Sequence, residues 1–287
     1  MIRKLIKAAR ALSSKTQKKY NIARYKREGM KPWSVGYQEY RDMEIANEIL
    51  NVNAAWRPGK NYGIGLDERI VEYPWILSKL KKDATNLLDA GSTLNYDFIL
   101  DNHILVDKHL TICTYQPENY FFNQRRINYI YEDLRLLPLR DGWFDEVVCI
   151  STLEHIDMDN SLYGYQLPNA GYQSNKSTEY LNVVRELVRV LKRGGTLLIT
   201  VPFGKYEQHG FFQQFDSQMI DSVVEILFEV GAVDLTFFQY VKSGWILSTR
   251  EECKEESSFN PHTNKGFKND GAAHSRAICC LELKSRL

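Results

Sequence analysis

The sequence predicts an α/β fold: a mostly parallel seven-stranded sheet with helices on both faces and an antiparallel last strand, preceded by an N-terminal helical extension. Three observations lead there. From residue 86 onward, short apolar runs alternate with helical stretches, the pattern of a parallel sheet covered by helices. The run FDEVVCI at 144–150 is apolar enough on both faces to be a buried strand. The last two candidate strands, 233–241 and 277–283, have no convincing helix between them, so one of them runs antiparallel.

Composition bounds the function. The 287 residues suffice for one large domain with an appendage, and 44% hydrophobic residues build an ordinary core. No apolar run approaches the roughly 20 residues that span a bilayer. The basic N-terminus lacks the apolar segment and cleavage site of a secretory signal, so a cytoplasmic protein is expected. The five Cys are scattered without a C-x-x-C, and Cys113 and Cys149 fall inside apolar runs; buried thiols of a reducing compartment are expected, without disulfides or zinc. The six His show no ligand spacing, so no metal is expected. A net charge of +1 conceals an asymmetry: residues 1–31 hold eleven Lys and Arg and one acid, Glu28, and the remainder is net negative.

In chain order, residues 2–12 place Ile2, Leu5, Ile6, Ala9 and Leu12 on one helical face, with Arg3, Lys4, Lys7 and Arg10 largely opposite. Such a helix packs on its own domain or on a second subunit, lies on an anionic membrane surface, or serves as a basic arm on nucleic acid. No aromatic-interleaved basic groove follows, which disfavours nucleic acid. A second helical stretch between 33 and 50 suits a lid or a homodimer contact. Residues 56–77 open with loop signals at Pro58, Gly59, Gly63 and Gly65, then form a helix that delivers Arg69, Glu72 and Trp75 to the first strand. This loop either closes over a ligand or simply connects cap to core. The expected division is a basic helical cap over 1–64 and a sheet domain over 65–287.

The sheet domain opens on LLDAGSTLN at 87–95, where two Leu lead through Asp89 and Gly91 into small residues and then a helix around 96–102. A strand turning sharply into a helix with little side-chain bulk presents backbone N–H groups to a ligand, although further glycines are missing at Thr93 and Asn95. Strands follow at 110–115, 127–131 and 144–150. An amphipathic helix at 178–192 ends in Arg193 and Gly194-Gly195, as helices do. A strand at 196–202 and a helix at 219–230 complete the pattern ahead of the last two strands, which are separated by a polar loop at 250–276.

Four ordered motifs carry a resemblance: LLDAGSTLN; YIYEDLRLLPLRDGWFD at 129–145; VVCISTLEHI at 147–156; and ELVRVLKRGGTLLITVPFG at 186–204. Together the chain resembles a class I S-adenosylmethionine-dependent methyltransferase, over roughly residues 65–287. The resemblance implies a Rossmann-like sheet, S-adenosylmethionine as cofactor, and a site outside the carboxyl ends of the strands. It places Asp89, Gly91, Ser92, Thr93 and Asn95 around the cofactor's amino-acid end and ribose. It places Asp133 and Leu134 at the adenine, and Ser151, Thr152 and Leu153 along the methionine portion. Where the family usually has an acid at the end of the second strand, holding both ribose hydroxyls, this chain has Thr114, with Glu118 four residues later. Either Glu118 reaches back, or Thr114 makes a weaker contact, or the ribose is held otherwise.

Methyl transfer needs nucleophile and methyl held in line, with water excluded. His155, just past the fourth strand, is the first candidate base, and His209 the second. Arg69, Asp159, Asn160, Tyr163, Lys205 and Tyr206 are the candidates for binding the acceptor. Their polarity suits a sugar hydroxyl of a cell-surface glycan or its activated precursor. The expected protein is therefore a cytoplasmic methyltransferase of a small polar acceptor, with residues 1–12 able to visit the inner membrane face. A non-catalytic binding or scaffold protein that has kept the fold is the alternative, motivated by the degenerate glycine turn. The chain lacks the Asn/Asp-Pro-Pro-aromatic signature of base methylation.

Overall fold

In a computed structural model, residues 2–164 and 176–286 are described, with backbone alone for residues 2–14. The helices are α1 (Ile2–Arg27), α2 (Tyr37–Ile49), α3 (Arg69–Lys79), α4 (Asp97–Leu100), α5 (Tyr180–Val190), α6 (Ser217–Phe228) and α7 (Arg250–Cys253). The strands are β1 (Asn86–Ala90), β2 (His109–Thr114), β3 (Asn128–Tyr131), β4 (Phe144–Ile150), β5 (Leu191–Pro202), β6 (Glu207–Gln208), β7 (Gln213–Gln214), β8 (Gly231–Val241), β9 (Gly244–Ser248) and β10 (Ala277–Ser285).

The main sheet has eight strands in the order β3-β2-β1-β4-β5-β10-β8-β9. From β3 to β5 every pairing is parallel, whereas β10 runs antiparallel to both β5 and β8, and β9 antiparallel to β8. The expected antiparallel strand is therefore β10. The count of seven needs correcting, because GWILS at 244–248 folds back on β8 as an eighth strand. Gly244 makes that return, with φ of 99° and its α-carbon so close to the Tyr62 carbonyl that a Cβ would stand 2.1 Å from it. Only glycine fits both constraints.

Two apolar layers sandwich the sheet, and alternation along each strand feeds both. Leu87, Val148 and Ile150 face the layer under α1 to α4, which is dense in aromatic residues such as Tyr25, Tyr37 and Trp75. Leu88, Val147 and Cys149 face the layer under α5 and α6. Helix α5 buries Tyr180, Val183, Val184, Leu187 and Val190, a single stripe at helical spacing. Asp216 caps α6 by accepting from Met219 N at 2.9 Å.

The helical cover differs in places from expectation. The helix after β1 is one turn, Asp97–Leu100. Strand β5 starts as soon as α5 ends, so Gly194 and Gly195 lie within its twelve residues, at an irregularity where Gly194 has φ of 73°. The stretch 250–276 holds α7, closed by a capping box between Thr249 and Glu252, and is otherwise irregular. At the N-terminus the helix continues to Arg27, beyond the predicted 2–12. The apolar face of Ile2, Leu5, Ile6, Ala9 and Leu12 lies outside the residues whose side chains are described.

Candidate active site

A cavity of about 480 Å³ opens at the carboxyl ends of β1 to β4, walled on one side by α3. Ligands of parallel α/β sheets collect at this edge because the strand-to-helix turns leave backbone groups facing outward there.

The turn after β1 has a tightly built backbone. Gly91 has φ of 119° and a Cβ there would lie 2.1 Å from Thr152 Oγ1, so this turn and the one after β4 touch through glycine. Ser92 continues in the left-handed region, at φ of 60°. Asp89 lies beneath the turn, fully buried: it accepts from Thr93 N at 3.2 Å, Thr93 Oγ1 at 3.1 Å and Leu94 N at 2.8 Å. Burial pushes its carboxyl up to about 7, against those three hydrogen bonds. Gly91, Ser92 and Thr93 line the cavity, and Asp89 does not; it braces them from below. Asn95 is also off the cavity wall. Its amide donates to Tyr120 O and accepts from Tyr129 OH, both at 3.0 Å, which ties the loop after β2 to the turn.

At the end of β2 a carboxylate does stand beside the cavity. Glu118 accepts from Thr114 Oγ1 at 3.0 Å and from Ser92 Oγ at 2.8 Å, so it bridges the ends of β2 and β1. Of the three arrangements the sequence leaves open, this one has Glu118 reaching back. After β3, Asp133 and Leu134 both line the cavity. Arg135 holds Asp133 with its backbone N–H at 2.9 Å and its guanidinium at 2.7 to 3.1 Å. Burial works to raise the Asp133 carboxyl, but the Arg135 hydrogen bonds and charge outweigh it and hold the group below its usual range.

After β4, Ser151 and Thr152 line the cavity, while Leu153 is part of the core below. Ser151 Oγ and Thr200 Oγ1 donate to Glu72 Oε1 at 2.5 and 2.6 Å, and Arg69 Nη1 donates to Glu72 Oε2 at 3.0 Å. This buried chain fixes Arg69, whose guanidinium reaches the cavity, at the end of α3 nearest β4. His155 faces the cavity as well. Its Nδ1 lies 2.7 Å from Phe211 O, and a carbonyl only accepts, so Nδ1 carries the proton and Nε2 is the basic nitrogen. The imidazole lies between Phe211, near-parallel at 5.9 Å, and Tyr163, edge-on at 5.3 Å. Burial pulls its pKa down to about 4, so at neutral pH the ring is uncharged.

The remaining candidates divide. Asn160 and Tyr163 line the cavity. Asp159 does not: its carboxylate accepts from Ser161 N and caps the short 3₁₀ turn Asn160–Tyr163. Lys205 is exposed and Tyr206 packs under Lys176, both off the cavity wall. His209, the second candidate base, is off it too. The pairing of β6 with β7 turns the segment after β5 into a hairpin, and Phe212 stacks flat on His209 at 4.4 Å. Phe212 in turn lies edge-on to His155, so an aromatic ring separates the two histidines. Sequence reasoning did not find Tyr73, Tyr96, Tyr120 and Arg135 on the wall. For the three tyrosines the only signal was the density of that residue near the strand ends. Among the described residues, no three His, Cys, Asp or Glu are grouped to hold a metal.

Residues 101–199, from the end of α4 into β5, match the family model of the methyltransferase domain. The match covers about a third of the chain. The chain is similar in structure to the 1,6-didemethyltoxoflavin-N1-methyltransferase of Burkholderia thailandensis, solved with 1,6-didemethyltoxoflavin and S-adenosylhomocysteine, at 11% identity and a TM-score of 0.40 over 70% of this chain and 72% of that one. It is also similar to a S-adenosylmethionine-dependent methyltransferase of Methanosarcina mazei, at 12% identity and 0.43 over 73% and 97%. A third similar structure is the [4+2]-cyclase SpnF, at 14% and 0.44 over 86% and 94%. No curated protein matches the chain in sequence.

The cavity fits S-adenosylmethionine, the cofactor that the sequence resemblance implies, on structural grounds. A turn without side-chain bulk, a carboxylate bridging two hydroxyl-bearing residues and a guanidinium suit a molecule with an amino-acid end and a ribose. Bound there, the cofactor supplies a sulfonium methyl as electrophile.

Proposed function

We propose that the protein is an S-adenosylmethionine-dependent methyltransferase that acts on a hydroxyl of a small polar acceptor, a sugar of a cell-surface glycan or its activated precursor, with His155 as general base. The observation that carries this reading is the tautomer of His155. With Nδ1–H committed to Phe211 O, an uncharged Nε2 is left to take a hydroxyl proton. Tyr163 and Phe211 flank the ring, and aromatic faces beside polar groups suit a sugar. Asn160 is held in place by donating to His155 O at 2.9 Å.

In the same reading Gly91, Ser92 and Thr93 contact the amino-acid end of the cofactor, Glu118 with Thr114 its ribose, and Asp133 with Leu134 its adenine. Ser151 and Thr152 lie along the methionine portion. Arg69 offers a fixed cation to a carboxylate or phosphate. The protein works in the cytoplasm, and the basic N-terminal helix brings it to a membrane that carries lipid-linked acceptors.

Labelled methyl transfer to a panel of nucleotide sugars and lipid-linked sugars tests the acceptor. Turnover on a hydroxyl should fall about 10²- to 10⁴-fold in His155→Gln with cofactor binding kept. Transfer to none of the panel, or unchanged turnover in the variant, would reject the reading.

A further inference from the structure

Next to His155 stands a carboxyl group with no assigned task. Glu154 is buried, its Oε1 lies 4.0 Å from His155 Nε2, and its Oε2 has no hydrogen-bond partner among the described residues. A buried carboxyl left half-satisfied costs stability, and such groups concentrate where chemistry needs them. A structural carboxyl at this position would have its second oxygen paired, as the buried Glu72 does with Ser151, Thr200 and Arg69.

We propose that Glu154 and His155 work as one acid–base unit, in which the buried Glu154 carboxylate balances the proton that His155 takes from the acceptor. This rests on His155 being the base proposed above. The acceptor's O–H bond breaks, and its proton goes to Nε2. The electron pair stays on oxygen and forms the new O–C bond, while the pair of the broken S–C bond returns to sulfur. The imidazolium formed is fixed by Phe211 O on one side and faces Glu154 on the other. Glu154 touches no acceptor atom and acts through His155, as a positioning residue.

The surroundings set when this unit is armed. Burial and the charges of Glu72 and Glu68 on and beside α3 hold Glu154 protonated well above the usual carboxylate range, against the opposing charge of Arg69. His155 is held low by burial first, and by the charges of Arg69 and His274, with Glu68 opposing. With Glu154 protonated, His155 is a weak base. Loss of the Glu154 proton puts a negative charge beside Nε2 and strengthens it. Methyl transfer should therefore rise with pH through the ionisation of Glu154.

Nuclear magnetic resonance on the whole chain, with labelled histidine and glutamate, tests this without any turnover. In the wild type, the His155 ring and the Glu154 carboxyl carbon should share an inflection well above the usual carboxylate range, in addition to the His155 step near 4. Folded Glu154→Gln should lose the shared inflection and keep the low step, and Glu154→Asp should keep both. A wild-type His155 that shows the low step alone overturns the proposal, as does a shared inflection that survives in Glu154→Gln. The wild-type measurement decides even if the variants do not fold. Failure of every hydroxyl acceptor would leave this result standing, so the two readings fail separately.

Discussion

Glu118 shows what a single side chain decides. It sits four residues past the end of β2, in a loop, yet its two oxygens collect the Thr114 and Ser92 hydroxyls into one acidic spot at the cavity wall. Glu118→Gln should weaken binding of S-adenosylhomocysteine by about ten- to a hundred-fold, the worth of hydrogen bonds to a charged group, as read by calorimetry. His155 gives a pH dependence of stability. Its folded pKa, about 4, lies below the ordinary 6.5, so between those values the folded state binds fewer protons than the unfolded chain. Stability from this group is full above pH 6.5 and falls as pH drops toward 4. Asp89, raised to about 7, works the other way in an overlapping window: the folded state binds more protons, and stability falls as pH rises from about 3.8 to 7. The His155 share is isolated by difference. His155→Gln should lose less stability than the wild type between pH 7 and 5, measured as the shift in Tm.

At the scale of elements, the turn after β1 depends on its glycine. Gly91→Ala would set a methyl 2.1 Å from Thr152 Oγ1 at a φ of 119°, so a cost of about 2–3 kcal/mol and a Tm lower by roughly 5–10 °C are expected. Adding Thr152→Ala should restore the steric part and not the backbone part. Much at this scale was legible in the chain. The strands from β1 to β5 announce themselves as apolar runs, and the stripe of α5 by its spacing, because burial dictates both. What was not legible depends on contacts distant in sequence. Strand β9 forms because Gly244 packs on Tyr62 and Trp245 donates to Leu66 O through its indole, neither of which local pattern reveals. The same holds for the site. Gly91, Ser151 and His155 follow from strand ends, whereas the inward reach of Glu118 and the screening of His209 by Phe212 follow from how loops fold back.

In the molecule as a whole, site and support lie at opposite ends of the strands. Far from the cavity, Lys108 and Glu146 form a fully buried pair at 2.6 Å, completed by the Thr85 hydroxyl on the lysine at 2.8 Å and Lys81 N on the glutamate at 2.7 Å. Lys108→Met would strand the carboxylate and should cost about 3–5 kcal/mol in urea unfolding, with cofactor affinity of the folded protein unchanged. The basic helix α1 gives a separable prediction. Removing residues 1–14 should abolish association with anionic liposomes and leave association with neutral ones as low as before; equal binding of both forms to anionic liposomes would rule out the anchor. Finally, strand β10 fills the gap between β5 and β8. Until residues 277–285 have left the ribosome, the nascent chain therefore carries an open edge on β5 and another on the β8–β9 hairpin, each a template for the wrong partner. The cavity half of the sheet can close early in synthesis, and the time of greatest exposure to aggregation falls between the making of β9 and the making of β10.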